Sequence, residues 1–190
     1  MSPRTAHAVP AAERVDPDDR RALRAALGTF ATGVTVVTVG GPVPRGMTAN
    51  SFTSVSLAPP LLLVCVDNDA DMHRSLQLSA GFCVSVLGTG QEDIARHFAD
   101  HSRPVGTGQF DTVAHHPGRL DGAPLITGAA AHFECEKWRV HDAGDHTIFL
   151  GRIIAAAQEP ARGALLFHGG RFGRPALSPR EPGRAQGRAA

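Results

Sequence analysis

The sequence predicts a mainly β protein, an antiparallel barrel with a few short helices at its edges. Three observations lead there. Short apolar or β-branched runs recur along the chain, at 34–39, 61–66 and 82–87 among others. Turns separate most of them, rather than the full crossover helices that parallel strands need. No G-x-G-x-x-G follows a strand, so a doubly wound dinucleotide fold is excluded, and any nicotinamide is held in another manner. With 190 residues and 42% hydrophobic content, the chain suits one domain around one sizeable core. The core domain is expected over 16–177. Residues 1–15 and the Pro-, Gly- and Arg-rich 178–190 read as flexible tails.

Asp16-Pro17-Asp18-Asp19 reads as a helix start, with Asp16 as cap and acids in the first turn. Leu23 and Leu27 fall on one face, and Gly28 is the expected stop. Val34–Val39 is a β-branched strand ending in Gly40-Gly41-Pro42. Met47–Leu57 reads as a further strand, polar at first and then alternating, with Val55 and Leu57 on one side. Pro59-Pro60 marks a turn, and the wholly apolar Leu61–Val66 is a central strand. Asp71 is expected to cap a helix running to about Ala80, with Gly81 as stop. Phe82–Leu87 is a strand. Thr89-Gly-Gln-Glu92 resembles a capping box, followed by the i, i+4 pair Ile94 and Phe98. Residues 100–125 carry many Gly, Pro and His and little periodicity, so they read as a long loop that is functional or packs on a partner. Strands at 129–141, 146–157 and 163–168 complete the domain.

The composition narrows the function. The net charge is +1 with no basic stripe, which argues against a nucleic-acid partner. Cys65, Cys83 and Cys135 are far apart without a C-x-x-C pair, so three buried, reduced thiols are expected. The 10 histidines are scattered, and no metal site is expected. The N-terminal stretch lacks the apolar run of a signal peptide, and no segment approaches the roughly 20 apolar residues of a membrane span. A cytoplasmic protein without a membrane partner is the expectation.

The most informative segment is Gly46-Met-Thr-Ala-Asn-Ser-Phe-Thr-Ser-Val-Ser56. Its first half is small and polar inside what otherwise reads as a strand. That pattern fits an edge strand with a solvated Ser/Thr face. It also fits a site for a ring with one polar edge, such as a flavin, which needs amides, hydroxyls and a carboxamide beside an apolar wall.

Taken with Phe30–Thr38, Pro59-Pro60, Cys65-Val66, Phe82–Leu87, Arg96–Ala99 and Gly144–Ile148 in this order, the chain resembles the short-chain flavin reductases. These supply reduced flavin to two-component monooxygenases. The likeness spans about 20–175. The Asp-Ala-x-Met-His stretch seen here at Asp69–His73 is shared with the reductases of enediyne antibiotic biosynthesis. The resemblance implies a Greek-key, flavin reductase-like (FMN-binding) split β-barrel with short peripheral helices. It implies a homodimer with a non-covalent flavin near the subunit interface, and a flavin-dependent monooxygenase partner reached by flavin diffusion. The cofactors would be FAD (or FMN) and NADH (or NADPH).

Carried onto this sequence, the resemblance has Thr32, Gly33, Val34 and Thr35 border the flavin. So would Thr48, and the stretch Ala49, Asn50, Ser51, Phe52, Thr53, Ser54 and Ser56, with Val84 and Ser85 beside it. Many relatives have Asn where Ser85 stands. Gly144, Asp145 and His146 would form the nicotinamide side, with His146 the candidate catalytic residue. One departure stands out. Many relatives place a basic residue and hydroxyls after the strand that ends here at Val66, to meet the flavin phosphate. This chain has Asp67, Asp69 and Asp71, which repel a phosphate, and Arg74 is the nearest cation in sequence. Met72, Phe98 and Trp138 are read as core or interface packing. An electron-carrier module with permanently bound FMN, and a non-catalytic dimeric scaffold, are the competing functions.

Overall fold

The computed structural model describes residues 14–159 and 163–176. The expected C-terminal tail, and all but two residues of the N-terminal one, lie outside them. The elements are α1 (Arg20–Leu27), β1 (Thr32–Gly33), β2 (Thr35–Val39), β3 (Arg45–Ala49), β4 (Thr53–Leu57), β5 (Pro60–Asp67), α2 (Asp71–Leu78), β6 (Gly81–Val86) and α3 (Glu92–Ala99). A 3-10 turn at Gly106–Phe110 follows, then β7 (His115–Pro117), β8 (Pro124–Ile126), β9 (Ala131–Ala143), β10 (His146–Gln158), β11 (Leu166–His168) and β12 (Arg171–Gly173).

Seven strands form one antiparallel sheet in the order β3-β2-β6-β9-β10-β5-β4. Its two edge strands, β3 and β4, are consecutive in the chain and joined by residues 50–52 alone. Four residue steps reach at most about 14 Å, whereas seven flat strands would hold their edges about 29 Å apart at about 4.8 Å per step. The sheet is therefore rolled into a barrel that stays split between β3 and β4. Ser51 fixes the crossing: its hydroxyl accepts from Cys65 N at 3.0 Å and donates to Cys65 O at 2.8 Å.

The run Met47–Leu57 is thus two strands and not one. The chain leaves one edge at Ala49 and joins the other at Thr53. A register shift between Ser54 and Ser56 interrupts the expected alternation, and both Val55 and Leu57 are exposed. β5 has partners on both sides, as its apolar run requires, but lies next to the edge strand rather than at the sheet's centre.

The interior is filled by Val37, Leu62, Val64, Val66, Met72, Leu76, Phe82, Val84, Cys135 and Phe149. A second cluster, with Val34, Val36, Leu87, Ala95, Phe98, Phe110 and Ile126, packs on the outside. β2 serves both, which is why all five of its residues are buried. Burial pushes the thiols of Cys83 and Cys135 up to about 12, with the charge of Glu134 adding to each. All three cysteines are free, and Cys65 is only half-buried.

Residues 100–125 are not an idle loop. The fully buried Gln109 accepts from Gly46 N at 2.8 Å and donates to Pro44 O at 2.9 Å, so one carboxamide satisfies the open edge of β3. Arg103 Nη2 donates to Gly46 O at 2.6 Å. The β7–β8 hairpin packs on the same chain, with Thr38 Oγ1 donating to Pro124 O at 2.7 Å.

The helix caps differ from the expectation. Asp19, not Asp16, caps α1, accepting from Arg21 N and Ala22 N. Asp16 closes a preceding turn by accepting from Asp18 N. Gly28 does end α1. α2 follows Ala70 without a side-chain cap, ends at Leu78, and leaves Gly81 to open β6. The capping box does not form: Gln91 stands at the cap of α3 and its carboxamide accepts from Gly88 N.

Gly151 on β10 shows how tight the interior is. A Cβ there would stand 2.7 Å from both Cys135 Cβ and Phe82 Cζ, and both neighbours are fully buried. Gly151→Ala should destabilise the protein by about 1–3 kcal/mol through overpacking, read as a lower midpoint in thermal unfolding. Gly173→Ala, where nothing lies within 4 Å, should stay within about 0.5 kcal/mol of the parent.

Candidate functional site

Two cavities meet at β3. One, of about 210 Å³, is lined by Val34, Thr48, Asn50, Ala99, Phe167 and Phe172. The other, of about 250 Å³, is lined by residues including Arg45, Met47, Thr48, Ala70, Asp71, Met72, Ala99, His101 and Arg103. They share Thr48 and Ala99, so together they form a groove with an aromatic end and a basic end. The aromatic end comes from β11 and β12, whose Phe167 and Phe172 rings lie 5.2 Å apart, with the Arg96 guanidinium 5.0 Å from the Phe172 centroid.

Thr48 is fixed because its hydroxyl donates to Ala95 O on α3 at 2.6 Å. The exposed Asn50 carboxamide makes no hydrogen bond among the described residues, and Thr32 Oγ1, on the strand paired with Phe167, is buried without a partner there. A buried hydroxyl left unpaired is costly, but Thr32 is not among the residues that line either cavity. An aromatic wall beside the Asn50 carboxamide suits a flat heteroaromatic ring with one polar side.

Not every expected residue reaches this groove. Ser51 is spent on β5, and Phe52 is packed on Phe133 with centroids 5.8 Å apart. Thr35 Oγ1 donates to Ala49 O, and Ser85 accepts from Ile126 N. Val84, Ser85 and Thr35 are buried inside the sheet, so their side chains serve packing. Thr53, Ser54 and Ser56 run away along β4, with Ser56 opposite Leu61 at the far end of β5.

Asp145 and His146 lie at the β9–β10 turn. In register His146 faces Asp67, whose side chain borders the outer mouth of the basic cavity with Asp69, Asp71 and His101. His146 Nδ1 lies 2.7 Å from Asp145 Oδ1, which turns Nε2 the other way. That hydrogen bond and the charge of His146 hold the Asp145 carboxyl below its ordinary value, and Arg20 at 3.6 Å adds to it.

The turn is tied down by a network that sequence reading did not find. Asn68 Nδ2 donates to Gly144 O, and Thr147 Oγ1 donates to Asn68 Oδ1 at 2.7 Å. Having given its only proton, the Thr147 hydroxyl must accept from His73 Nε2 at 3.0 Å, which fixes the His73 tautomer.

Near the acidic loop the cation is Arg45, not Arg74. Arg45 pairs with Asp71 at 3.0 Å, while Arg74 borders a further cavity beside the β2–β3 turn, which Arg45 also lines. Met72 and Phe98 are core residues, and Trp138 is half-exposed beside Arg152. The three described cysteines and the histidines form no metal-binding group among the described residues.

A flavin reductase like domain matches residues 27–176. The chain belongs to the flavin reductase family. An NADH-dependent FAD reductase of Streptomyces globisporus is 63% identical over 165 residues, 87% of this flavin reductase and 91% of that protein. The solved structure of the Streptomyces globisporus NADH:FAD oxidoreductase in complex with NAD and FAD fragments superposes with a TM-score of 0.83 at 61% identity, covering 87% of this chain and 98% of that one. The flavin reductase component of a bacterial two-component tryptophan halogenase superposes at 0.79 with 53% identity, over 82% and 98% of the two chains.

In this flavin reductase the residues that reading by sequence missed, Arg45, Arg103, Phe167 and Phe172, reach the groove from segments far apart in the chain. Only His73 carried a signal, inside the Asp69–His73 motif. Thr147→Val removes the hydroxyl shared by Asn68 and His73, and should cost about 1–3 kcal/mol. Thr147→Ser should restore most of the loss, read as thermal midpoints of the three proteins.

Proposed function

We propose that this protein is an NADH-dependent flavin reductase that reduces freely diffusing FAD (or FMN) and passes it to a partner monooxygenase, in antibiotic biosynthesis. The carrying observation is the groove itself, aromatic beside Thr48 and Asn50 and basic beside Arg45 and Arg103. That is the outline of a flat ring attached to phosphates. When both cofactors are bound they would supply the chemistry themselves, a hydride from nicotinamide C4 to flavin N5 with the one proton that completes the reduction taken from solvent. The protein's part is to align the two rings and exclude water, which lowers the barrier by several kcal/mol. The Asn50 carboxamide meets the polar edge of the flavin ring, and Phe167 and Phe172 wall its apolar side.

His146 is read as the nicotinamide contact. With Nδ1 held by Asp145, the Nε2 of the protonated ring is left to donate a hydrogen bond to the carboxamide or pyrophosphate of the dinucleotide. One domain over 16–177, a cytoplasmic setting, no nucleic-acid or membrane partner and a C2 homodimer complete the reading. No described helix is long and apolar enough to cross a membrane. The dimer is supported by apolar side chains that one chain leaves uncovered: Leu27 and Phe30 near α1, and Val55 and Leu57 on β4, the last 95% exposed. Such a partner would also bring the exposed face of β4 back toward a flavin.

Dialysis tests the central reading. The purified protein should lose its colour and oxidise NADH only with added FAD or FMN. A protein that stays yellow is a carrier with permanent FMN instead, and one that binds no flavin is a scaffold. Sedimentation at micromolar concentration should give a dimer, and a fully active monomer refutes that part. His146→Ala should lower kcat/KM for NADH by about five- to 150-fold, the loss of one hydrogen bond. Flavin Kd and melting temperature should change much less. Parallel losses for both ligands would assign His146 to the fold.

A further inference from the structure

The basic cavity contains a conflict of charges. Arg45 and Arg103 both line it, against the single carboxylate of Asp71, with His101 at the rim. Arg45 is held in the wall, its side chain 16% exposed, while Asp71 reaches in from solvent with 77% exposed. An exposed carboxylate that swings away loses little. Arg103 is anchored by neutral partners, donating to the carbonyls of Gly46 and Asp100. It has no carboxylate within salt-bridge distance among the described residues, and its Nε is buried without a hydrogen-bond partner there. Burial and the like charge of Arg45 hold the Arg103 guanidinium below its ordinary value, against the pull of Asp71 and Asp100. The Asp100 carboxylate is itself occupied by Ser102. Asp67 and Asp69 stand outside, at the mouth, where Asp67 Oδ1 accepts from Asp69 N.

A second guanidinium with no carboxylate of its own, lining the same cavity as Arg45 and one shared wall away from the ring site, fits a phosphate. We infer that Asp71 competes with the flavin phosphates for the Arg45–Arg103 pair and thereby sets how weakly FAD and FMN are held. The inference rests on the proposed flavin site. A bound phosphate takes the place of the Asp71 carboxylate on Arg45 and engages Arg103, and Asp71 returns to Arg45 when the reduced flavin leaves. Asp71 is then a specificity-determining residue for phosphorylated flavins. It lowers affinity for them without touching the ring.

Equilibrium titration at low salt with FAD, FMN and riboflavin, followed by flavin fluorescence, tests this. Asp71→Asn should tighten FAD and FMN binding by about three- to tenfold and leave riboflavin within twofold. Arg103→Gln should weaken FAD and FMN by about tenfold or more, again sparing riboflavin. Arg103 also supports the edge of β3, so its thermal midpoint is measured alongside. If that variant unfolds, Asp71→Asn decides alone, since its side chain is exposed. An Asp71→Asn protein with unchanged or weaker FAD binding, or with all three ligands shifted alike, overturns the inference while riboflavin binding by the parent keeps the flavin site. A parent protein that binds none of the three overturns the proposed function and this inference with it.

Discussion

The architecture depends on one short connection. Residues 50–52 join two strands that would stand on opposite edges of a flat sheet, and a link of that length forces the sheet to roll. Ser51 secures the crossing on the backbone of β5. Once the sheet is rolled, the end of β3 comes beside the end of β5, and the start of α2 with its acidic loop is carried to Thr48. The split left between the edges exposes backbone groups on β3. Gln109 and Arg103 answer them from the 100–125 segment. Closing the edge therefore delivers an arginine to the groove, so fold and site share one cause.

On the proposed reading the chemistry asked of the groove is modest, because the hydride and its acceptor belong to the two cofactors. What the protein controls is geometry and residence. Two aromatic rings and a fixed threonine shape one end. A half-neutralised pair of arginines holds the other. A reductase that hands its product to another enzyme must release it, and an arginine already engaged by a carboxylate gives up a phosphate more readily than a bare one. The acidic run at Asp67–Asp71, which looks wrong for a phosphate-binding protein, is consistent with that demand.

The misread elements have a common origin. Asp16, Asp71 and Thr89 all carry the chemistry of caps, but a cap needs the backbone to turn at one specific residue, and tertiary contacts set that point. Asp71 is drawn to Arg45 and α2 begins without a side-chain cap. The 100–125 segment has little periodicity because it is anchored by side chains, above all the buried Gln109, rather than by an amphipathic face.

The sequence by itself determined that the chain is built mainly of antiparallel strands, where most of them lie, and that it resembles the flavin reductases. Those readings depend on local patterns: β-branched runs, turn residues and a chain of motifs in order. It also pointed to Thr48 and Asn50, because small polar residues inside a strand are conspicuous. Only the tertiary structure decided which hydroxyls face a cavity and which are spent inside the sheet, as Ser51 and Ser85 are. It alone brought Phe167 and Phe172 to Val34, and Arg45 and Arg103 to Asp71. Contacts between residues so distant in the chain leave no periodicity to read, since they are fixed by how the sheet rolls and not by any local preference.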